Sequence, residues 1–233
     1  MRALGGIARS LPCLAALGAT LTACSPTSPS DLDLDGVWAV RIPAAAIDPA
    51  PAGGGVQTAV LAGGCFWGVE AVFEHVQGVQ SVVSGYAGGA AAAANYTAVS
   101  TGATGHAESV QIRFDPARIS FGKILQVFFS VAHDPTQLDS QFPDDGPQYR
   151  SEIFFSDAAQ QQVARTYITQ LTDARSLPRP IVTRVEPLPA FYPAEEEHQD
   201  FAARNPDEPY IVRFDRPKVD SLKTIFPELY RPS

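Results

Sequence analysis

The stretch Thr58–Val76, "TAVLAGGCFWGVEAVFEHV", changes period in its middle. "TAVLAGG" is a short continuous apolar run closed by glycines, the pattern of a buried strand. From Cys65 onward the apolar residues Phe66, Val69, Phe73 and Val76 recur at helical spacing. A buried strand therefore turns into an amphipathic helix at Gly63–Gly64, and both must bury their apolar sides in one packed domain. A cysteine, Cys65, stands at the junction.

Similar signals continue along the chain. "VQSVVSGYAGG" reads as a second strand, followed by an alanine-rich loop. In "HAESVQIRFD", Val110, Ile112 and Phe114 alternate with Ser109, Gln111 and Arg113, which is strand period. Ser120 can cap a helix with the stripe Ile124, Val127, Phe128 and Val131. "SEIFFS" makes a fourth strand. The order strand, helix, strand, strand, helix, strand predicts an α+β domain, a ferredoxin-like split βαβ two-layer sandwich. A helix over 157–174, a strand at "IVTRVEPL" and helical pieces over 195–205 and 218–225 form a helical and irregular C-terminal extension.

The first residues read differently. Arg2 and Arg9 precede and flank "SLPCLAALGATLTAC", an apolar run of signal-peptide length that is too short to span a bilayer as a mature helix. It ends in "LTAC", Leu21–Cys24, which resembles the bacterial lipobox, whose cysteine takes a lipid and becomes the first residue. The expectation is a lipoprotein signal peptide over residues 1–23, a lipidated Cys24 within a flexible Pro/Ser/Ala/Gly-rich tether over 24–55, and a folded domain over 56–230. Ser25, where an aspartate would favour the inner membrane, points by the same resemblance to the outer membrane, on the periplasmic face of the cell envelope. The membrane is then met through the lipid anchor alone. The net charge is −8 with no basic stripe, which argues against nucleic acid as a partner.

Processing at Cys24 removes Cys13 and leaves Cys65 as the one thiol free for chemistry, with no internal disulfide to form. At a helix start, backbone N–H groups and the positive dipole end face the sulfur and favour thiolate. Glu108 shares strand parity with Val110, Ile112 and Phe114, so its carboxyl should face the buried side. Desolvation there keeps a carboxyl protonated near neutral pH, as a general acid requires.

"GCFWGVE", "GYAGG", "YTAVSTGATGHAESVQIRFDP", "HDPTQLDSQFPDDGPQYRSEIFF" and "FYPAEEEHQDF" together resemble the successive signatures of peptide methionine sulfoxide reductase, type A, over Thr58–Tyr230. The resemblance implies that Cys65 attacks the sulfoxide sulfur and Glu108 protonates its oxygen. It implies that Tyr96 and Tyr149 hold that oxygen, that Asp144 belongs to the substrate pocket, and that Phe66 and Trp67 wall the S-methyl group. The substrate would be the S epimer of methionine sulfoxide, free or in oxidised proteins, with no cofactor and no metal ion. Phe142 stands where the family usually has glycine, and Phe129 where a tryptophan is common. "YIVRFDRPKVDSLKTIFPELYRPS" lacks the recycling cysteines of many relatives, as in the single-cysteine branch. An external thiol, from a thioredoxin-like protein or a small molecule, would then reduce the sulfenic acid left on Cys65. A monomer is expected.

Other readings of the same residues remain. Cys65 with His198 or His106 as base could serve a thiol hydrolase or acyltransferase. His106, His133, His198 and Cys65 match no metal-ligand spacing. A non-catalytic lipoprotein binding module is a further alternative. Glu195–Glu197 reads as a solvated helix start.

Overall fold

The computed structural model describes residues 38–49 and 55–232; the expected signal peptide, Cys13 and Cys24 lie outside the described residues. In chain order the first elements are β1 (Gln57–Gly63), α1 (Phe66–Glu74), β2 (Val79–Ala87), α2 (Tyr96–Val99), β3 (Ala107–Phe114) and α3 (Phe121–Val127). There follow β4 (Ser140–Gln141), β5 (Asp144–Asp145), β6 (Ser151–Phe155), α4 (Ala158–Asp173), β7 (Arg184–Pro187), β8 (Phe191–Pro193), α5 (Phe201–Arg204) and α6 (Arg216–Ile225).

One sheet runs in the order β7-β6-β1-β3-β2-β8. β1 pairs antiparallel with β3 and β6, β2 pairs antiparallel with β3 and β8, and β7 joins β6 in parallel. Alternation along the strands sorts the core. Ala59, Leu61, Val110, Ile112, Phe114 and Ile153 join the apolar stripes of α1, α3 and α4, while Val60, Ala62, Ala107 and Phe154 form a smaller cluster. The fold is a mixed α+β fold, with the helical stripes gathered on the larger core.

The cap expected at Ser120 is made, and Asp157 supplies another that the sequence reading did not name. The Ser120 side chain accepts the Lys123 N–H at 3.2 Å, and Asp157 accepts the Gln160 N–H at 2.8 Å, starting α3 and α4. Three differences from the sequence reading stand out. Only Arg184–Pro187 of "IVTRVEPL" is strand; α3 continues into a π-helical turn over Phe128–Ala132; and the β4–β5 ribbon and β8 carry too few residues to show a period.

The expected 24–55 tether is corrected over residues 38–49. This segment is a strap packed on the domain. Trp38 is 5% exposed and donates Nε1–H to Phe129 O at 2.8 Å; Val40 N–H reaches Ser130 O at 2.9 Å. Gln126 donates to Ile42 O, Tyr167 to Pro43 O and Gln170 to Ala44 O. Asp48 accepts the Gly122 N–H at 2.9 Å, adding a carboxylate to the Ser120 hydroxyl at the start of α3. Proline and alanine composition signalled a linker, but the extended backbone they favour is what these side-chain donors need.

Candidate active site

β1 delivers the chain to the site through two glycines. A Cβ at Gly63 would lie 2.8 Å from the Phe128 ring and 2.9 Å from His133, and Gly64 has φ +92° with Gln141 Cγ 2.6 Å from where its Cβ would be. Only glycine fits such a close approach. Gln141 cannot swing away: its Oε1 accepts Asp134 N–H at 3.0 Å and its Nε2 donates to Asp134 O at 3.0 Å. Cys65 follows as the N-cap residue of α1, 8% exposed.

Its electrostatics differ from the expectation of a stabilised thiolate. Burial pushes the Cys65 thiol well above its usual range, the Glu108, Asp215 and Asp144 carboxyls push it further, and a hydrogen bond from the Trp67 backbone pulls the other way. Desolvation acts on the whole ion, whereas the helix start contributes little more than one N–H, so burial wins in the free site.

Glu108 lies in β3 on the face predicted from parity. Its Oε2 accepts the Phe66 N–H at 3.1 Å, and burial raises its carboxyl to about 8, against the lowering effect of that bond. It is therefore largely protonated at neutral pH.

Tyr96 opens α2, and Tyr149 ends a 3₁₀ turn (Pro147–Tyr149) just before β6. Both phenols are raised by burial first and then by Glu108; Cys65 and Asp144 act on both. Asp144, in the β4–β5 ribbon, is raised by burial, while hydrogen bonding from Tyr210 OH and the charge of Lys218 lower it. The structure thus gathers Cys65, Glu108, Tyr96, Tyr149 and Asp144 into one electrostatic unit.

The aromatic residues divide. Phe66 is buried against Tyr86 and His198, at 5.9 and 5.6 Å between ring centroids. Trp67 is half-buried, stacked on Phe201 at 3.9 Å and edge-on to Tyr210 at 6.0 Å. Phe66 backs the site and Trp67 forms its more open wall.

Four residues enter that the sequence did not single out as site residues for this chemistry. Glu195, expected in solvent, is half-buried: it accepts Tyr86 OH at 2.8 Å and the Tyr96 N–H at 2.9 Å. Burial alone would raise its carboxyl, but the Tyr96 N–H and the other hydrogen bonds bring it below the usual range. His198 lies against Tyr96 at 4.2 Å, and Tyr210 bonds Asp144. Asp215, fully buried and paired with Lys218 Nζ at 3.1 Å, sits where a Cβ on Gly68 would collide with it. The "EEE" run hid Glu195 because two of its three carboxylates, Glu196 and Glu197, are in fact exposed.

The hydrolase reading loses one of its bases to the loop. His106 Nδ1 accepts the Gly89 N–H at 3.2 Å and its Nε2 faces Ala90 O at 3.1 Å, which occupies both ring nitrogens.

The sequence model of the peptide methionine sulfoxide reductase family matches residues 57–229. The peptide methionine sulfoxide reductase MsrA 2 of Mesorhizobium japonicum is 57% identical over 176 residues, covering 76% of this chain and 90% of that protein. The MsrA 2 protein of Synechocystis is 52% identical over 169 residues, 72% of this chain and 79% of that one. Among solved structures, methionine sulfoxide reductase A of Corynebacterium diphtheriae superimposes with a TM-score of 0.57 at 31% identity, over 75% of this chain and 90% of that chain. Reduced Mxr1 of Saccharomyces cerevisiae gives 0.58 at 30% identity, over 70% and 92%. With the match running from β1 to the residues after α6, the chain belongs to the peptide methionine sulfoxide reductase family.

Proposed function

We propose that Cys65 is the nucleophile and Glu108 the acid of an enzyme that reduces the S epimer of methionine sulfoxide, free or in proteins. The chain is an oxidoreductase of the family, reducing methionine sulfoxide to methionine with thiols. The observation that carries the residue assignment is Glu108, raised to about 8 by burial and bonded to the helix start that presents Cys65.

A sulfoxide is a weak electrophile until its oxygen is protonated or hydrogen-bonded. Tyr96 and Tyr149 supply phenol donors, and Glu108 supplies the proton. The Cys65 sulfur bonds to the sulfoxide sulfur as the oxygen accepts that proton; the thiol proton restores Glu108. The sulfoxide S–O bond then breaks as the hydroxyl passes to the Cys65 sulfur, and the transient S–S bond breaks as methionine leaves as the thioether. Cys65 is thus oxidised to a sulfenic acid while the sulfoxide is reduced. Trp67, backed by Phe66, shields the S-methyl group from water, and Asp144 with Tyr210 closes the far side.

Cys65 is the one cysteine among the described residues, and no cysteine follows it in the sequence. An external thiol therefore attacks the sulfenic acid, releasing water and forming a mixed disulfide; a second thiol frees Cys65 and takes up the disulfide. This supports the single-cysteine reading. A single turnover of the mature protein without reductant should give about one methionine per enzyme, and Cys65 alone should gain one oxygen by mass. Two methionines per chain, or an internal disulfide, would overturn it.

The strand order β6-β1-β3-β2, with α1 and α3 as crossovers, supports the ferredoxin-like split βαβ reading. The lipoprotein reading rests on "LTAC". Cys24→Ser should release the protein from the membrane fraction or leave it unprocessed; unchanged fractionation and processing would remove the anchor.

A further inference from the structure

Four aromatic side chains leave the site in a row. Trp67 meets Tyr210 edge-on at 6.0 Å, Tyr210 meets Phe214 at 5.1 Å, and Phe214 meets Phe142 edge-on at 5.8 Å. The row starts beside Cys65 and ends in solvent, where Phe142 is 55% exposed. Scattered exposed hydrophobics are ordinary on protein surfaces, so that exposure alone decides nothing. Continuity decides it. Tyr210 bonds the Asp144 carboxyl, Arg213 lies over the Phe214 ring at 5.4 Å, and the Phe142 N–H is held by Gln137 Oε1 at 2.8 Å. The row is thus tied to the reacting site at one end and fixed in backbone at the other. Val212, also exposed, lies in the same π-helical turn as Phe214.

The geometry points to a docking shelf, Tyr210–Phe214–Phe142, that binds an apolar side chain of the polypeptide flanking the methionine sulfoxide. This rests on the reductase reading and adds a substrate preference to it. Side chains on one face of an extended peptide repeat about every 7 Å, so a residue two or four positions from the sulfoxide falls over Phe214 and Phe142. Free methionine sulfoxide is too short to reach them. The occupant follows from the damage itself: methionine packs in apolar surroundings, and its sulfoxide disrupts cores, so oxidised segments expose sulfoxides with hydrophobic neighbours.

The test compares kcat/KM for three substrates: N-acetyl methionine sulfoxide, a peptide with serine around the sulfoxide, and the same peptide with leucine two and four positions away. The parent enzyme should prefer the leucine peptide to the serine peptide by about tenfold, the effect of a partly buried aliphatic side chain. Phe142→Ser should cut that ratio to about twofold, Phe214→Ala should also lower it, and Phe142→Leu should keep most of it. Each ratio is internal to one preparation, so partial unfolding cancels. Equal turnover of the two peptides by the parent, or a ratio unmoved by Phe142→Ser, overturns the shelf. Failure to reduce any of the three would instead overturn the reductase reading.

Discussion

Glu108 accepts the Phe66 N–H at 3.1 Å, so the acid on β3 holds the first turn of the helix that begins at Cys65. The proposed proton donor and nucleophile are thus positioned by one hydrogen bond across two elements. Such preorganisation leaves little rearrangement for the moment of reaction.

Glu108→Gln should therefore keep the fold and lose activity by about 10²–10⁴-fold, the usual contribution of one general acid. In the parent enzyme the protonated, active form should disappear as pH rises through about 8, giving a falling alkaline limb in kcat/KM. That limb should be absent from the residual activity of the variant. Rate–pH profiles of both proteins check it, and a loss of only a few-fold at neutral pH would move the acid role elsewhere.

Stability should also respond to pH. Burial raises Glu70 as well as Glu108 to about 8, from an ordinary value of 4.5. Both fold more readily as neutral acids. Their contribution is full below pH 4.5 and is lost as pH rises through about 8. Thermal melts should show Tm falling over that window, and Glu70→Gln should flatten the slope. An equally steep slope in that variant would assign it to other groups.

Glu195 ties Tyr86 OH and the Tyr96 N–H together across the sheet edge, which makes it a positioning residue. Glu195→Ala should lower kcat about tenfold with a smaller change in KM, because in the proposed mechanism the Tyr96 hydroxyl would move off the sulfoxide oxygen. Glu195→Gln keeps a carbonyl acceptor and should recover much of the rate. Steady-state kinetics on all three proteins decide between this and a purely structural role, which would change Tm alone.

Trp38→Ala should destabilise the domain by about 3–5 kcal/mol, the cost of emptying a buried indole site. Denaturant melts measure it. If residues 38–49 were only linker, the midpoint would not move.

The parts of the molecule legible in the sequence were those with local rules. Ser120 announced α3, and period-two alternation placed Glu108 on the correct face of β3. The glycine pair before Cys65 marked the junction because backbone approach to Gln141 and Phe128 admits nothing larger. Glu195, Tyr210 and Asp215 escaped because their partners lie far off in sequence: Tyr86 and Tyr96, Asp144, and the back of α1 at Gly68. The thiol's raised pKa escaped for a related reason. A helix start is visible in a motif, but three carboxyls assembled from β3, β5 and the α6 side are visible only after folding. The strap was misjudged because composition reports what a segment can do when free, and its Trp38 anchor was a single residue.

The strap has a consequence for reach. Between Cys24 and Trp38 lie residues 25–37, and a fully extended chain gains about 3.5 Å per residue, so that stretch spans at most about 50 Å. A leash running freely to residue 56 would have spanned about 110 Å. A domain of this size is roughly 40 Å across. If Cys24 carries the proposed lipid, a stretch of that maximum length would confine the enzyme to a layer about its own width above the bilayer. Under that proposal, repair would depend on damaged proteins coming within that layer, and inserting residues between Cys24 and Trp38 would enlarge the patrolled volume without altering the catalytic site.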